Sequence, residues 1–355
     1  MKSLPVTRNR VLLFAGAMAV SVSSSLACNQ KVEFSQSAPR SATNLKPPSV
    51  AASPGPVIPG LRQGAIPQGL AYVDAPKKFL ITHYFEDAAS CLSVVNASSG
   101  ELESYATLQD ESGQPHRGHV GGVAVLEDSL FVASDQYVYQ YNVADVLSEN
   151  LADDSATAKP IRVTATASRK CETQASFCTA TPSLLLVGEF AYGRKYPTDS
   201  SHHLDDRKGV RKYAWVCGYD KSDPMGAPVC ILSVRQKVQG MCVSGDRVFL
   251  SLSYGRANRS QIVIYRNPIG EAAHRTVSLS DGSDVPLWFL DGANYLGEID
   301  FPPMSEGIAM VGHELAVLSE SGANKYLFGG KGPLDRVLLL DVHVGHTPHD
   351  GSKVP

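Results

Sequence analysis

The sequence predicts an all-β fold, a β-propeller of five blades in which each blade is a four-stranded antiparallel meander. Three observations support this prediction. One strand–turn–strand pattern occurs five times, helical periodicity is nearly absent outside residues 143–151, and 30 Gly and 22 Pro occur among 355 residues. A meander of about 50 residues cannot bury both faces of its sheet alone, so the copies are expected to pack around a common axis.

Each copy begins with a short β-rich segment that has a small residue at its second position. These segments are 68–71, 121–124, 175–178, 239–242 and 306–309, of which 175–178 is the most degenerate. Their second positions are separated by 53, 54, 64 and 67 residues. A polar turn and a second, apolar strand follow each segment, at 79–82, 130–133, 184–187, 248–251 and 315–318. Turn-forming residues at every break are typical of a meander.

A third strand followed by Asn or Asp completes the core of each copy. These third strands are expected at 92–95, 138–141, 214–217, 262–265 and 337–340, and fourth strands at 103–108, 161–165, 230–234 and 276–279. Six blades are the alternative, if residues 285–301 hide a degenerate copy. Closure of the ring is expected to pair a strand from residues 57–63 with the strand at 335–342.

The three-strand pattern, with its turn glycine and its closing Asn or Asp, resembles that of NHL/YVTN-type bacterial propellers. A group of secreted bacterial propellers also carries segments similar to 201–204 (Ser-His-His-Leu) and 286–292 (Pro-Leu-Trp-Phe-Leu-Asp-Gly). The resemblance covers about residues 64–342 and implies the fold. It implies little about function, because propellers include lectins, hydrolases, lyases and scaffolds.

The N-terminal residues have the pattern of an export signal. Residues 1–27 hold three basic side chains and no acid, and residues 11–22 form an apolar run that is too short to span a bilayer. Residues 25–28 (Ser-Leu-Ala-Cys) resemble the lipobox of bacterial lipoproteins, which implies a lipid on Cys28. Cleavage without lipidation stays open, because Ser-Leu-Ala is also a small-x-small site.

The remaining composition suggests how the chain is organised and which partners it has. Residues 28–60 are rich in Ser, Ala and Pro and predict a disordered tether. The propeller is expected at 61–342 and a disordered tail at 343–355. The net charge of −3 becomes −6 without the three bases of residues 1–27, which argues against a nucleic-acid partner. We expect a monomer, anchored in the cell envelope by a lipid on Cys28 or free in the periplasm or outside the cell.

One end of the central channel is predicted to be polar. In a propeller, the start of each first strand and the end of each second strand meet near the axis. Aligning the second strands by their apolar positions places one polar residue of each at the same level: His83, Asp135, Glu189, Ser253 and Glu320. The first strands add Gln68, Gln239 and Glu306, with His119 just before the first strand of blade two. Clustered carboxylates and His can bind a polar ligand, bind Ca²⁺ or act as acid–base pairs, or they can cap strand ends around channel water.

The long loops after the second strands of blades three, four and five open on the same face, at 191–212, 254–261 and 321–335. Their side chains Tyr254, Arg256, Asn324 and Lys325 are expected to contact an anionic or sugar ligand. We expect the protein to bind a polar small molecule, a glycan or a protein partner.

The alternative is a hydrolase or lyase that acts on a sugar or lactone, with Glu189, Glu306, Glu320 and His83 as catalytic residues. Such an enzyme could use Ca²⁺ as a cofactor. The sequence motifs of α/β-hydrolases, zincins, P-loop proteins, thioredoxins and dinucleotide-binding folds are absent.

An exported chain meets an oxidising compartment, so disulfides are expected among its cysteines. Cys217 and Cys230 flank a turn between two expected neighbouring strands, and Cys171 and Cys178 could close a small loop.

Overall fold

The structure, a computed structural model, describes residues 46–148 and 161–342. The export signal, Cys28, most of the expected tether and the tail at 343–355 lie outside the described residues. Within the described ranges the chain forms 25 strands, one short α-helix and three single-turn 3-10 helices. No helix in these two ranges is long and apolar enough to cross a membrane.

The strands, in chain order, are β1 Ala52–Val57, β2 Ile66–Val73, β3 Lys78–Tyr84, β4 Cys91–Asn96, β5 Leu102–Gln109, β6 Gly122–Leu126, β7 Ser129–Ser134, β8 Tyr137–Asn142, β9 Ile161–Thr164, β10 Ala167–Lys170, β11 Phe177–Ala180, β12 Leu184–Gly188, β13 Leu204–Asp205, β14 Arg211–Lys212, β15 Ala214–Asp220, β16 Pro228–Val234, β17 Val238–Ser244, β18 Arg247–Leu252, β19 Ser260–Arg266, β20 Arg275–Ser278, β21 Asp284–Phe289, β22 Tyr295–Phe301, β23 Ser305–Val311, β24 Glu314–Ser319 and β25 Arg336–Asp341. The helix α1 spans Val143–Leu147, within the segment where helical periodicity was expected, and the 3-10 helices span Leu61–Gln63, Ser200–His202 and Asn324–Tyr326.

Five antiparallel blades follow from the strand pairing, which confirms the predicted five-bladed propeller. From the inside outwards, they are β2-β3-β4-β5, β6-β7-β8-β10, β11-β12-β15-β16, β17-β18-β19-β22 and β23-β24-β25-β1. The apolar core lies between neighbouring blades, in four clusters that each combine side chains from adjacent sheets. Each sheet therefore buries its faces against its neighbours, as the meander pattern requires.

The ring closes through a strand from the N-terminal side of the propeller. Strand β1 pairs antiparallel with β25, with Ala52 opposite Leu340, and becomes the outer strand of blade five. The closing strand is thus residues 52–57 rather than a strand within 57–63, where residues 61–63 form a 3-10 turn. Residues 52–57, which the composition placed in the tether, belong to the propeller because their backbone completes the last sheet.

Two of the expected fourth strands pair elsewhere. Strand β9 runs parallel to β5 of blade one, and the fourth strand of blade two is β10. Strand β20 forms a hairpin with β21, which extends blade three by running parallel to β16, whereas β22 completes blade four. Residues 285–301 therefore supply outer strands to two blades and form no sixth blade. Their sequence indicates a strand, but the path of the chain decides which sheet edge it reaches.

The repeated glycine marks the places where inner strands approach each other most closely. A Cβ atom on Gly69 would lie 2.8 Å from the carbonyl carbon of Gly122, and one on Gly240 would lie 2.8 Å from the carbonyl oxygen of Glu306. A Cβ atom on Gly307 would overlap the backbone nitrogen of Leu70. Backbone therefore packs directly against backbone around the axis, which leaves no room for a side chain at these repeat positions.

The predicted disulfides do not form. All six cysteines of the described ranges are buried, and none of them is joined to another in a disulfide. Cys217 lies opposite Ile231, and Cys230 lies opposite Gly218, so the two side chains project from opposite faces of the sheet into different core clusters.

The second expected pair, Cys171 and Cys178, is not joined by a disulfide either. Cys171 follows the outer strand of blade two, whereas Cys178 lies on the inner strand of blade three. Each thiol points to a backbone carbonyl instead of its partner: Cys171 to Arg169, and Cys178 to Phe131.

Candidate functional site

A pocket of about 740 Å³ opens on the propeller axis at the end where the second strands finish. Nine of the residues that the sequence placed there line it: Gln68, His119, Asp135, Gln239, Ser253, Tyr254, Arg256, Glu306 and Glu320. They come from all blades except blade three, which contributes Gln174, Ser176 and its long loop instead. We call the group Gln68, Gln239, Glu306 and Glu320 the pocket floor.

A pair of carboxyl groups in direct contact forms the centre of the pocket floor. Glu306 lies near the start of β23, and Glu320 follows the end of β24. A bulge in this hairpin, between the pairs Ser305–Ser319 and Ile308–Val317, brings both carboxyl groups to the same level. The two side chains hydrogen-bond to each other.

Amide groups from two other blades hold this pair. The Nε2 atom of Gln68 donates to Oε2 of Glu320 over 3.1 Å, and Nε2 of Gln239 donates to Oε1 of Glu306 over 3.1 Å. Three blades therefore meet in one hydrogen-bonded cluster at the axis.

Burial determines the protonation of the carboxyl pair. Loss of hydration raises the pKa of Glu320 to about 7, although hydrogen bonds from Tyr326 and Gln68 oppose the rise. The pKa of Glu306 is raised well above its usual range, first by burial and then by the charge of Glu320. The pair therefore shares a proton near neutral pH, so that one carboxylic acid donates to one carboxylate.

Tyrosines from blades one and five form one wall of the pocket. The hydroxyl groups of Tyr84 and Tyr326 are 3.4 Å apart, and Tyr326 also hydrogen-bonds to Glu320. The ring of His119 lies 4.5 Å from that of Tyr84. This wall is thus fixed to the pocket floor through Tyr326.

Aromatic rings of the loops of blades three and four form the other wall. The rings of Tyr254 and Tyr192 are 3.9 Å apart, and Phe190 and Tyr196 pack in T-shaped contact at 5.2 Å. Phe190, Tyr196 and Tyr254 all line the pocket.

Three cations surround the pocket mouth, and we call Lys195, Arg256 and Lys325 the mouth cations. Lys195 donates to the hydroxyl of Tyr254 over 3.3 Å, and the guanidinium of Arg256 lies 4.9 Å from the centre of the Tyr326 ring. Lys325 donates to the Tyr84 hydroxyl over 3.0 Å.

Within the residues that the structure describes, Lys325 is the one of these three cations that forms an ion pair, with the exposed Glu86 at 2.8 Å. Lys325 and Asn324 do not line the pocket themselves. The amide of Asn324 instead donates to the carbonyl of Arg62.

The structure corrects the placement of His83 in the site by one residue. In the paired strands, Ile81 lies opposite Leu70 as Val317 lies opposite Ile308, so Tyr84 occupies the position equivalent to Glu320. Successive strand residues face opposite sides of the sheet, and His83 therefore lies in the core. It contacts Ser93 at 3.0 Å, and burial lowers its pKa to about 3.

Glu189 also lies outside the pocket, and its carboxylate is already engaged by other groups. Its Oε1 accepts hydrogen bonds from Nδ1 of His202, at 2.6 Å, and from the backbone N–H of Trp215. Its Oε2 accepts from the backbone N–H of Gln174. The His202 ring stacks on Trp215 at 3.9 Å, so Glu189 anchors the long loop of blade three rather than facing the axis.

Sequence reasoning predicted Tyr254 but missed the other residues of the aromatic walls. Tyr84 could have been predicted from the sequence. Glu320 lies three residues after Val317, and the same count from the equivalent residue of β3, Ile81, selects Tyr84 instead of His83. Tyr326, Tyr196 and Lys195 belong to loops without periodicity, and no sequence signal states which way such loops fold.

No three His, Cys, Asp or Glu side chains within 46–148 and 161–342 are arranged to hold a metal ion together.

Comparison with known proteins identifies no family for this chain. No family model matches the sequence, and no curated protein matches it. The resemblance to NHL/YVTN-type propellers therefore stays a prediction. Among solved structures, glutaminyl cyclase of Myxococcus xanthus is similar at 7% identity with a TM-score of 0.44, over 83% of this chain and 97% of that chain.

Two further structures are more distant. A chain of the Kuenenia stuttgartiensis hydrazine synthase gives 10% identity and a TM-score of 0.36, over 72% of this chain and 77% of its own. A chain of the mitotic checkpoint complex gives 9% identity and a TM-score of 0.33, over 88% of this chain and 100% of its own. The protein is a five-bladed β-propeller, and its function has to be argued from its own residues.

Proposed function

We propose that this protein binds a small polar ligand in its axial pocket. The observation that carries the proposal is the carboxyl pair of the pocket floor. The pair offers a hydrogen-bond donor and an acceptor at fixed positions, beside two amides and between aromatic walls. A pocket with apolar walls and a few convergent polar groups is what small-molecule sites require, and its volume lies in their usual range.

The contact between the two carboxyl groups favours binding over sugar hydrolysis. Glycosidases place their two carboxyl groups at least about 5 Å apart, so that the scissile bond fits between them. Glu306 and Glu320 hydrogen-bond directly to each other and leave no such space. The other two expected catalytic residues, Glu189 and His83, are engaged in the core.

Acid–base catalysis by Glu320 alone is the second candidate function. One observation favours it, because a carboxyl group with a pKa of about 7 is half-ionised near neutral pH, as a general acid or base requires.

Thermal unfolding against a panel of sugars, sugar acids, amino acids and nucleosides tests the binding proposal. At about a hundredfold excess over Kd, a ligand of the folded state should raise the melting temperature by roughly 5–10 °C. The variants Glu320→Gln and Tyr254→Ala should reduce that shift, because they change the pocket floor and one wall. Glu127→Gln, which alters an exposed ion pair with Lys221, should retain it.

A panel without stabilising compounds, or shifts that both pocket variants retain, would contradict the proposal. Chromatography of each stabilising compound after incubation separates the two candidates. A ligand that is recovered unchanged supports binding, whereas conversion that Glu320→Gln abolishes supports catalysis.

We also propose that the chain is exported and anchored by a lipid on Cys28, in the cell envelope. The apolar run at 11–22 and the segment 25–28 support this proposal. The mass of the mature protein should show an acylated Cys28 at its N-terminus, and Cys28→Ser should release the protein from membranes. A mature N-terminus at Cys28 without added mass would contradict lipidation and leave export intact.

A further inference from the structure

We propose that the ligand of the axial pocket is an acidic saccharide, a sugar ring that carries a carboxylate. This inference rests on the proposed function and specifies its ligand class. Three separate parts of the pocket support it: the charges at the mouth, the aromatic walls and the hydrogen-bonding groups of the floor.

The mouth cations indicate that the ligand carries a negative charge. Within the described ranges, neither Lys195 nor Arg256 is paired with a carboxylate. Lys195 donates to a tyrosine hydroxyl, and Arg256 donates from one nitrogen to the carbonyl of Phe328. No residue of the described ranges accepts from the remaining N–H groups of the Arg256 guanidinium, which can bind a carboxylate through two parallel hydrogen bonds.

The aromatic walls suit a sugar ring. Tyr254 and Phe190 stand on one side of the pocket, and Tyr84 and Tyr326 on the other. Aromatic faces carry partial negative charge, so the weakly positive C–H groups on the face of a pyranose ring pack well against them. Arg256 lies over Tyr326 and two residues after Tyr254, which places a cation beside both walls.

The floor suits hydroxyl groups. Each sugar hydroxyl both donates and accepts, and the proton-sharing pair of Glu306 and Glu320 offers both functions. Ser253 is 4% exposed and lines the pocket, and its hydroxyl has no hydrogen-bond partner within the described ranges. A flat aromatic acid would reach the mouth cations but leave these groups unpaired, which costs binding energy.

Calorimetric titration of the purified protein with D-galacturonate, D-glucuronate and digalacturonate tests this assignment. D-galactose and D-glucose serve as neutral counterparts, and glutamate and benzoate represent other anions. We expect the uronates to bind about tenfold more tightly than the neutral sugars at low salt, because a charged hydrogen bond adds about that factor. Digalacturonate distinguishes the end of an acidic polysaccharide from a free sugar acid.

The variants Arg256→Gln and Lys195→Gln should remove this preference, because they should weaken uronate binding more than neutral-sugar binding. Lys221→Gln removes an exposed lysine that pairs with Glu127, and it should keep the preference. Melting temperatures of the three variants verify that they are folded.

The possible failures of the two proposals are distinguishable. Uronates and neutral sugars of equal affinity would overturn the charge assignment and leave a sugar pocket. Binding of glutamate or benzoate without any sugar would overturn the saccharide class and leave the polar-ligand pocket. No binding by any member of the thermal panel would overturn the proposed function itself.

Discussion

Replacing Gly307 with alanine is expected to destabilise the protein by at least about 3 kcal/mol, or to prevent folding altogether. The added Cβ would overlap the backbone nitrogen of Leu70 and lie 2.9 Å from the carbonyl carbon of Gly69. Both atoms belong to the inner strand of blade one, so no side-chain rotation can make room. The free energy of unfolding, measured by denaturant titration, gives the cost.

Gly292→Ala is the matched control for this substitution. Gly292 has no left-handed backbone, and the nearest atom to its added Cβ is the mobile Nζ of Lys208 at 3.4 Å. This variant should be as stable as the original protein or slightly more stable, because alanine restricts the unfolded chain. Equal stabilities for Gly307→Ala and Gly292→Ala would show that the inner strands do not approach as closely as described.

The stability of the ligand-free protein is expected to fall as the pH rises from about 4.5 to about 7. Burial raises the pKa of Glu306 and Glu320, so the folded state holds protons that the unfolded chain releases near its ordinary carboxyl pKa of 4.5. Stability is therefore fully present below that pKa and is lost as the pH passes through the raised values. Glu320 alone contributes a decrease on the order of 3 kcal/mol.

The double variant Glu306→Gln, Glu320→Gln isolates this effect, because its amides keep a neutral hydrogen-bonded pair at every pH. Relative to the original protein it should gain stability between pH 4.5 and pH 8, as measured by denaturant unfolding across that range. Glu127→Gln, at an exposed site, should follow the original profile. If the double variant follows it as well, the two carboxyl groups ionise as they do in the unfolded chain and share no proton.

Sequence reasoning correctly predicted the strands whose burial and close packing impose a repeated residue pattern. The second strand of every blade is almost wholly buried, and the inner strands also need a small residue where backbones meet, so their pattern repeats. Outer strands such as β10 and β22 lack that constraint, because they pair with whichever sheet edge the chain reaches. The predicted disulfide between Cys217 and Cys230 failed for a related reason: closeness along a hairpin does not fix the face on which a side chain lies.

In the candidate site, too, residues on strands with a repeated pattern could be predicted, whereas residues on irregular segments could not. Gln68, Gln239, Glu306 and Glu320 were predicted correctly to line one end of the axis, because the register of inner strands determines their level. The prediction of His83 was wrong by one residue, and a shift of one residue along a strand moves the side chain to the opposite face of the sheet. Apart from Tyr84 at the end of β3, the aromatic walls come from segments outside the strands. The positions of such segments depend on anchors such as the His202–Glu189 contact, which only the folded chain reveals.

The closure of the ring by β1 sets the order in which the pocket can be assembled. Ala52 and Leu340 are paired although almost the whole propeller lies between them in sequence, so this pairing has the largest loop to close. The contact between Gln68 and Glu320 likewise joins the first blade to the last. A chain that lacks blade five also lacks Glu306 and Glu320, so the pocket floor is complete only when the ring is complete.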